Sequence, residues 1–345
     1  MHLLYQNEYF YETNMSDRTL FIQSIVTLLN SVMHPIASHF VFSILSVIGI
    51  LWFILSRNEN WTILLILLFP SAMVWTSVIG KESIYYLCFS TTLIIWSSYI
   101  NNHLSNSKII ALIICTMICF FLRPHYAICI PWLFFVSYFL KNKRNYNLLF
   151  IITYSLLIFT IFIILFYGEN INRYFDVGFF NYKWTALSSV DVDARASRNI
   201  SLGLEQLVSE YRKTPTELNK SKISNYYNNF FMTGFLFGII GPFPSELISR
   251  PVFIPFFIEG SIILISPIIF IYILFKYKLL HFKNINYLNF IYGIVPAIFL
   301  LMFIHAFFGI LNPGTAIRWR VNFELIFYFV PLLLYLNILD NNKID

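Results

Sequence analysis

Charged residues are scarce in this chain. Asp, Glu, Lys and Arg together make up 12% of its 345 residues, which is about half the share found in soluble domains. Hydrophobic residues make up 58%, more than a single water-soluble core of this size can bury. The composition therefore excludes a soluble globular enzyme and an intrinsically disordered chain, and it predicts an integral membrane protein.

Cysteines are also few, and the common catalytic motifs are absent from the sequence. The sequence has no Walker loop, no dinucleotide fingerprint, no His-Glu-x-x-His zinc pair and no serine elbow. Asp191 and Asp193 are better explained as part of a solvated loop than as a metal site. The cysteines lie in apolar stretches, where we interpret them as small buried residues: Cys88, Cys115, Cys119 and Cys129. The sequence thus predicts no metal and no cofactor.

The chain is rich in long apolar stretches. A helix needs about 20 mostly apolar residues to cross a bilayer. Two apolar stretches, Leu20–Met33 and Phe230–Ile240, are too short or too broken to cross, and we expect them to be interfacial or re-entrant. The predicted fold is all-α, a polytopic single transmembrane domain over residues 1–345 with about nine to eleven transmembrane helices. The clear candidate spans are His39–Ser56, Trp61–Ile79, Ser83–Ile100, Ile109–Leu122, Tyr126–Leu140, Leu148–Phe166, Phe256–Phe275, Tyr287–Phe308 and Val321–Ile338.

Basic residues set the expected orientation, since Lys and Arg concentrate in short cytoplasmic loops. Two basic clusters, in residues 141–144 and 276–283, each follow a predicted span. When both are placed in the cytoplasm, Arg57 and Lys108 also fall inside, and the polar stretch Gly168–Asn229 becomes a large external loop. Basic charge at membrane edges explains the net charge of +6 without a nucleic-acid partner. The same threading leaves the N-terminus outside, unless the natural start lies upstream with a further span.

Most of the remaining charges gather at the outer ends of the predicted spans. Charge is costly at bilayer depth, so charges at span ends on one side predict a functional site. Simpler roles compete with this one, because a lysine can reach the headgroups and an arginine can anchor to them. Pro124 forces the residue before it out of the helical region and so ends the fourth span there. The residues concerned are Lys81, Glu82, Arg123, His125, Arg318 and Arg320, with Glu246, Arg250 and Glu259 around the second re-entrant segment.

The last predicted span carries two arginines with different expected roles. Arg320 and Glu324 are four residues apart and can form an ion pair on one helix face. Arg318 points away from Arg320 by about 160°, has no obvious partner, and is the better candidate for binding a ligand. His305 lies in the middle of a span, where we expect a hydrogen-bonded packing residue.

Basic residues with a few carboxylates at the outer membrane edge suit a lipid-linked phosphate or pyrophosphate. Arginine binds phosphate oxygens in a bidentate manner and lysine adds a point charge. Cations stabilise the negative charge on a departing pyrophosphate, and a carboxylate such as Glu82 can take the proton of an acceptor hydroxyl. Aromatic residues crowd the same face and either form an interfacial belt or stack on sugar rings: Trp75, Tyr85, Tyr86, Tyr126, Trp132, Trp184 and Trp319.

Three segments resemble the O-antigen and surface-polysaccharide polymerases of the Wzy type, which are akin to GT-C membrane glycosyltransferases. They are Phe69–Glu82 (FPSAMVWTSVIGKE), Arg123-Pro124-His125 and Gly314–Arg320 (GTAIRWR). The layout of many spans with one large external loop is similar across nearly the whole chain. The resemblance implies a multi-pass protein of the bacterial inner membrane, with its active site facing the periplasm.

The resemblance also implies the chemistry. The growing glycan would leave its undecaprenyl pyrophosphate and join the next lipid-linked repeat unit, with a chain-length regulator as a further partner and without a nucleotide sugar. Lys81, Arg123, Arg318 and Arg320 would hold pyrophosphate, and Glu82 would be the base or would orient Lys81. GT-C enzymes place a catalytic acid in their first external loop, so the base is alternatively one of three N-terminal acids: Glu8, Glu12 and Asp17.

Two other functions stay open. One is another lipid-sugar enzyme, either a GT-C transferase using a monophosphate-linked sugar or a ligase of finished glycan. The other is a flippase of lipid-linked oligosaccharide, which should line a cavity with charge at several depths. Apart from His305, we expect no acidic or basic residue in the middle of a span. Charge is instead concentrated at one face, which favours an enzyme.

Overall fold

The computed structural model describes residues 17–57, 67–102, 104–142, 154–155, 238–242, 247–248, 251–276, 285–311 and 313–342. All regular structure in these ranges is helical, which confirms the predicted all-α class. The predicted external loop, Gly168–Asn229, lies outside the described residues. So does the predicted span Leu148–Phe166, apart from residues 154–155.

The chain divides into two compact units, Met1–Ile130 and Pro131–Asp345. The prediction of a single transmembrane domain stays a prediction. We number the described α-helices in chain order: α1 Asp17–Val32, α2 Pro35–Arg57, α3 Pro70–Thr76, α4 Lys81–Ile100, α5 Asn106–Leu122, α6 Pro124–Ala127, α7 Cys129–Lys141, α8 Ile254–Lys276, α9 Ile285–Asn289, α10 Val295–Leu311, α11 Pro313–Arg320 and α12 Leu325–Asn342. A 3₁₀ turn, Pro251–Phe253, precedes α8, and a π-helical turn, Phe290–Ile294, joins α9 to α10.

Four helical stretches among the described residues are long and apolar enough to cross a membrane. They are Pro35–Leu55, Pro251–Lys276, Ile285–His305 and Ala316–Leu336. These stretches are consistent with the helical membrane protein that the composition predicts. The number of nine to eleven spans stays a prediction.

The predicted span Trp61–Ile79 does not run to Ile79 as a helix. Among its described residues, α3 ends at Thr76, and α3 and α4 are bent by 120° across the break at residues 77–80. Such a pair forms either one broken span or a re-entrant loop. Irregular backbone of this kind is tolerated at membrane depth only where protein or a water-filled cavity covers it.

In the first unit, α4 is the central helix and is buried along nearly its whole length. It runs parallel to α2, because the Ser43 hydroxyl donates to the Ser77 carbonyl while Gly49, further along α2, lies against Ser90. A Cβ on Gly49 would come within 2.7 Å of the Ser90 Oγ. Small residues let the two helices approach closely, as is common between membrane helices.

The helices α4 and α5 form an antiparallel hairpin. Asn102 turns the chain with a positive φ of 62°, and Ser105 caps α5 by accepting from the Lys108 amide at 3.4 Å. Beside this turn, the Lys108 Nζ donates to the Ser98 Oγ at 3.2 Å. The start of α4 and the end of α5 therefore lie together at the opposite end of the hairpin.

Both ends of α1 contact that same end of the bundle. Phe21 packs edge-on against Phe121, near the end of α5, with ring centroids 5.5 Å apart. The Ser38 hydroxyl, near the start of α2, donates to the Asn30 Oδ1 at 2.7 Å. A helix whose two ends meet the same end of a bundle lies across it, as the predicted interfacial role of Leu20–Met33 requires.

In the second unit, α10 runs antiparallel to α8 and α12. Phe270 of α8 packs against Phe290, at the start of the π-helical turn. At the far end of α10, the His305 ring meets Phe323 just before α12. The Ser266 hydroxyl donates to the Phe327 carbonyl at 2.6 Å and ties α8 to α12.

The helix α7 runs antiparallel to α9 and the π-helical turn that follows it. Its Trp132 Nε1 donates to the Gly293 carbonyl at 3.1 Å, and further along its Ser137 Oγ donates to the Asn289 Oδ1 at 2.6 Å. The tryptophan thus gives a partner to a carbonyl of the π-helical turn, where the regular helical hydrogen-bond pattern is interrupted. The directions of the helices within each unit agree with the predicted threading, whose sidedness stays a prediction.

Candidate functional site

The break between α3 and α4 positions the first candidate site. Pro70 opens α3 and Gly80, in extended conformation, is the N-cap residue of α4. Lys81 and Glu82 then fall in the first turn of α4. A carboxylate in a first turn is favoured, because the N-terminus of a helix carries partial positive charge.

At the end of α5, Pro124 acts as predicted. The helix stops at Leu122, and Arg123 takes φ −145° and ψ 67°, outside the helical region, before α6 begins. Arg123 is therefore the C-cap residue of α5, where a cation complements the partial negative charge of the helix end.

These two helix ends bring Glu82 and Arg123 into an ion pair, which we call the Glu82 pair. The Arg123 Nη2 donates to the Glu82 Oε1 at 2.7 Å, and the two side chains are 10% and 2% exposed. Each charge suits its own helix end, and each neutralises the other in a buried environment. Removing only one of the two residues would leave the charge of the other buried and uncompensated.

The second carboxylate oxygen of Glu82 points back toward the break in the backbone. A Cβ built on Gly80 would lie 2.9 Å from the Glu82 Oε2. Glycine at position 80 therefore leaves room for this oxygen beside residues 77–80.

Four more predicted site residues lie on the same helix ends. Lys81 is half-buried at the start of α4, and Trp75 is half-buried in α3. His125 is half-buried in α6, with its ring centroid 4.2 Å from that of the buried Tyr126. Taken as formal charges, Lys81, Glu82 and Arg123 sum to +1, which suits an anionic ligand.

Tyr85 is a polar residue of this site to which sequence reasoning gave no individual role. It lies one turn after Glu82, is fully buried, and stacks on Phe89 with ring centroids 5.4 Å apart. Its hydroxyl has no hydrogen-bond partner among the described residues. A buried hydroxyl without a partner costs free energy, so Tyr85 is a candidate donor to a bound group. The three-residue spacing from Glu82 was the available signal.

The second charged cluster lies in the other unit and consists of Glu259, Arg320 and Glu324; we call it the Arg320 cluster. All three side chains are 0% exposed. The Arg320 Nη2 lies 3.2 Å from the Glu259 Oε2, and its Nε lies 3.8 Å from the Glu324 Oε2. The predicted Arg320–Glu324 pair is thus present, although residues 321–324 form a turn between α11 and α12.

Arg320 also binds backbone carbonyls. Its Nη1 donates to Ile239 at 2.6 Å and to Ile240 at 3.2 Å, and its Nη2 donates to Phe256 at 3.3 Å. The guanidinium therefore ties residues 238–242 and α8 to the end of α11. Since Arg320 has no exposed surface, its surroundings are those of an architectural residue.

Gly260 makes this arrangement possible. A Cβ at this position would collide with the carbonyl oxygen of Ile240, and it would lie 2.6 Å from that of Ile239 and 2.5 Å from the Arg320 Nη1. Gly241, with φ +94°, turns the chain directly after these carbonyls. For Glu259 the sequence offered one signal, the acid-glycine pair Glu259-Gly260 inside an apolar stretch.

The Arg320 cluster places three charged residues inside stretches that are apolar enough to cross a membrane. Arg320 and Glu324 fall within the apolar stretch Ala316–Leu336, and Glu259 falls within Pro251–Lys276. The last span was predicted to begin at Val321, which left Arg320 outside it. Buried ion pairing is what allows these charges to lie there.

Arg318 and Trp319 complete the predicted set. Arg318 is exposed and Trp319 is buried. Arg318 lies on the side of α11 away from Arg320, as their spacing predicts. His305 is buried, and its Nε2 is 3.1 Å from the Ala316 carbonyl oxygen, which agrees with a hydrogen-bonded packing residue.

Several predicted residues lie outside what the structure describes. The alternative base Asp17 begins α1, but its side chain is not described. Within the described ranges, no three His, Cys, Asp or Glu side chains come together as metal ligands would. The predicted residues outside the described parts are Glu8, Glu12, Trp184, Asp191, Asp193, Glu246 and Arg250.

Comparison with known proteins adds no identification. A scan against protein-family models and searches of curated proteins and of solved structures found nothing that matches this chain.

Proposed function

We propose that this protein is a surface-polysaccharide polymerase that joins lipid-pyrophosphate-linked repeat units at the outer edge of a bacterial inner membrane. The observation that carries the proposal is the Glu82 pair: a buried carboxylate and guanidinium, 2.7 Å apart, at one end of an antiparallel helix pair. Beside it stand the half-buried Lys81 and the break at residues 77–80. The proposal includes nine to eleven spans and an active site that faces the periplasm.

The charges support a phosphate-bearing substrate. Glu82 holds one guanidinium nitrogen of Arg123, which fixes the direction of the remaining donors. Lys81 adds a point charge on the neighbouring residue. Together they leave one net positive charge for the pyrophosphate that departs, and such charge stabilises the transition state more than the ground state.

The proposed reaction is one glycosyl transfer. A hydroxyl oxygen of the acceptor sugar bonds to the anomeric carbon of the donor glycan, and the bond from that carbon to the pyrophosphate oxygen breaks. The hydroxyl proton goes to the Glu82 Oε2, which lies on the side of Gly80. The electron pair of the broken bond stays on the pyrophosphate, beside Arg123 and Lys81. The half-buried Trp75 is a stacking surface for a sugar ring.

The other predicted cations take different places in the proposal. Arg318 is exposed and remains a proposed pyrophosphate ligand, and Trp319 is proposed only as its packing support. Arg320 is completely buried in its own cluster, so we assign it to the fold rather than to the substrate. This assignment replaces the role that the family resemblance implied for Arg320.

The flippase alternative is not favoured. It requires charge lining a path through the membrane, whereas the charges of the Arg320 cluster, which lie inside apolar stretches of the described residues, are fully enclosed: Glu259, Arg320 and Glu324. The remaining alternative, a transferase or ligase with a different lipid-linked donor, uses the same charges at the Glu82 pair. A monophosphate-using transferase depends on acidic residues and usually a metal, so sensitivity to EDTA would favour it.

The test is complementation of a source strain that lacks this gene, read as the length profile of its surface glycan on a gel. Loss of the gene should collapse the ladder to a lipid core carrying one repeat, and Glu82→Gln or Arg123→Ala should fail to restore the ladder. The matched control is Lys108→Ala, which removes a cation at the opposite end of the same hairpin. Loss of every repeat, or a normal ladder with Glu82→Gln, would contradict the proposal.

A further inference from the structure

The helix α1 has an exposed apolar surface that takes no part in the candidate site. The helix contains 16 residues, fewer than the roughly 20 needed to cross a bilayer, and both of its ends contact the same end of the first unit. Along it, Leu28 is 68% exposed and Val32 is 78% exposed. Large apolar side chains exposed next to one another mark a contact with a membrane or with another protein.

Three exposed apolar residues of α1, namely Phe21, Leu28 and Val32, form what we call the apolar stripe. Successive residues of an α-helix are about 100° apart, so these three lie within about 40° of one another. The buried residues Ile22 and Val26 lie about 120° from the centre of the stripe. On the opposite side of the stripe, about 90° from its centre, are exposed hydroxyl residues, with Leu20 at the start of the helix: Ser24, Thr27 and Ser31. The helix therefore has one surface for the protein, one for an apolar partner and one for a polar environment.

The apolar stripe adjoins exposed apolar residues of two neighbouring helices. At one end, Phe21 packs edge-on against Phe121 of α5, which is itself 44% exposed. Beyond the other end, Ile36 and Phe40 are exposed in the first turns of α2. Because α2 belongs to the stretch Pro35–Leu55, which is long and apolar enough to cross a membrane, lipid is the environment that suits its exposed apolar side chains. The apolar stripe extends that surface across the end of the unit.

We propose that α1 lies in the plane of the membrane, with the apolar stripe against the acyl chains of one leaflet and the hydroxyl residues toward the headgroups and water. Interfacial helices bury their apolar face about 5–10 Å into the boundary between headgroups and acyl chains. Phe21 contacts Phe121, close before Arg123 in the sequence, so this placement puts the Glu82 pair at the level of the lipid headgroups. A lipid-linked phosphate then reaches the pair without leaving the membrane, a consequence that rests on the proposed function.

The experiment is spin labelling of the full-length protein in lipid nanodiscs, with one cysteine introduced at a time. Leu28→Cys and Val32→Cys test the apolar stripe, and Thr27→Cys and Ser31→Cys are matched controls on the adjacent residues. Collisions of each label with lipid-soluble oxygen and with a water-soluble nickel chelate are measured. The protein without an added cysteine gives the background from its four native thiols. We expect oxygen to be the more frequent collision partner at positions 28 and 32, and the nickel chelate at positions 27 and 31.

Three other results would overturn the proposal. Frequent nickel collisions at all four positions would show that the stripe faces water. Frequent oxygen collisions with few nickel collisions at all four would show that α1 is immersed among the acyl chains and not at their boundary. Few collisions with either reagent at positions 28 and 32, together with spin–spin broadening, would show that a second copy of the chain covers the stripe.

A pair of charged substitutions gives an independent check. Leu28→Asp places a carboxylate among acyl chains, where charge is costly, so it should lower the thermal unfolding midpoint in nanodiscs. Thr27→Asp places the same group on the polar side and should leave the midpoint near the wild-type value. Equal midpoints for the two variants would contradict the proposed placement. None of these readouts depends on glycan synthesis, so a normal ladder with Glu82→Gln would overturn the proposed function and leave the placement of α1 standing.

Discussion

Replacing one or both residues of the Glu82 pair gives the most direct test of the candidate site. Arg123→Met keeps an unbranched apolar chain but leaves the Glu82 carboxylate, 2% exposed, without the donor 2.7 Å from its Oε1. Breaking a buried pair in this way costs about 3–5 kcal/mol. The double variant Glu82→Gln/Arg123→Met leaves neither charge of the pair uncompensated. Because neutral replacement of a buried pair is often tolerated, we expect its free energy of unfolding to lie within about 2 kcal/mol of the wild-type value.

The assay is equilibrium unfolding of the wild type, the two single variants and the double variant in the same detergent. The double variant should be more stable than Arg123→Met, which gives a coupling free energy of at least about 1–2 kcal/mol between the two positions. The reasoning would be refuted if the free energy of unfolding of Arg123→Met lay within about 0.5 kcal/mol of the wild-type value, because changes this small are typical of substitutions at the surface. The pair would then be hydrated and not a buried unit.

The same double variant separates fold from function. It should be produced and folded, yet it should restore no glycan ladder, because both the proposed base and the proposed pyrophosphate ligand are gone. A ladder of normal length from this variant would show that the pair is structural only. The functional argument would then rest on Arg318.

Further outcomes are expected elsewhere in the chain. Gly260→Ala should prevent folding of the second unit, because its Cβ would lie 2.6 Å from a backbone carbonyl oxygen, whereas Gly293→Ala should be tolerated at 3.4 Å from the nearest side chain; expression and size-exclusion profiles compare the two. Cysteines introduced as Lys81→Cys and Lys108→Cys should react with a membrane-impermeant maleimide from opposite sides, and labelling from one side would contradict the threading. Arg318→Ala should abolish polymerisation without loss of protein and Arg318→Lys should restore it only in part, since bidentate geometry is lost; a normal ladder with Arg318→Ala would remove it from the site.

Local chemistry made part of this structure predictable. Pro124 fixed the end of α5, and the hydrophobic stretches located α2, α8 and the continuous run from α9 through the π-helical turn to α10 within a few residues of their observed ends. These features depend on neighbours in the sequence. The i,i+4 spacing of Arg320 and Glu324 belongs to the same class, and both partners are found together.

The rest depends on contacts between residues far apart in the sequence. Glu82 was assigned to an acceptor hydroxyl or to Lys81, yet its ion pair is with Arg123, 41 residues later. Arg320 was assigned to substrate because no nearby residue could show that Ile239, Ile240 and Phe256 supply carbonyls to its guanidinium. Whether an arginine is buried depends on how distant parts of the chain pack around it, and hydropathy averaged along the chain cannot predict this.

The two arginine clusters differ in a way that separates substrate binding from architecture. Arg320 is enclosed by three carbonyls and two carboxyl groups, and a single added methyl on Gly260 would collide with its cage. A ligand would have to displace several of those contacts at once. Arg123, in contrast, retains some exposed surface, lies at a helix end, and is paired with Glu82 in the first turn after a break in the helix. An anion can reach an exposed part of Arg123 without entering a fully enclosed cluster, so the Glu82 pair is where chemistry is to be sought first.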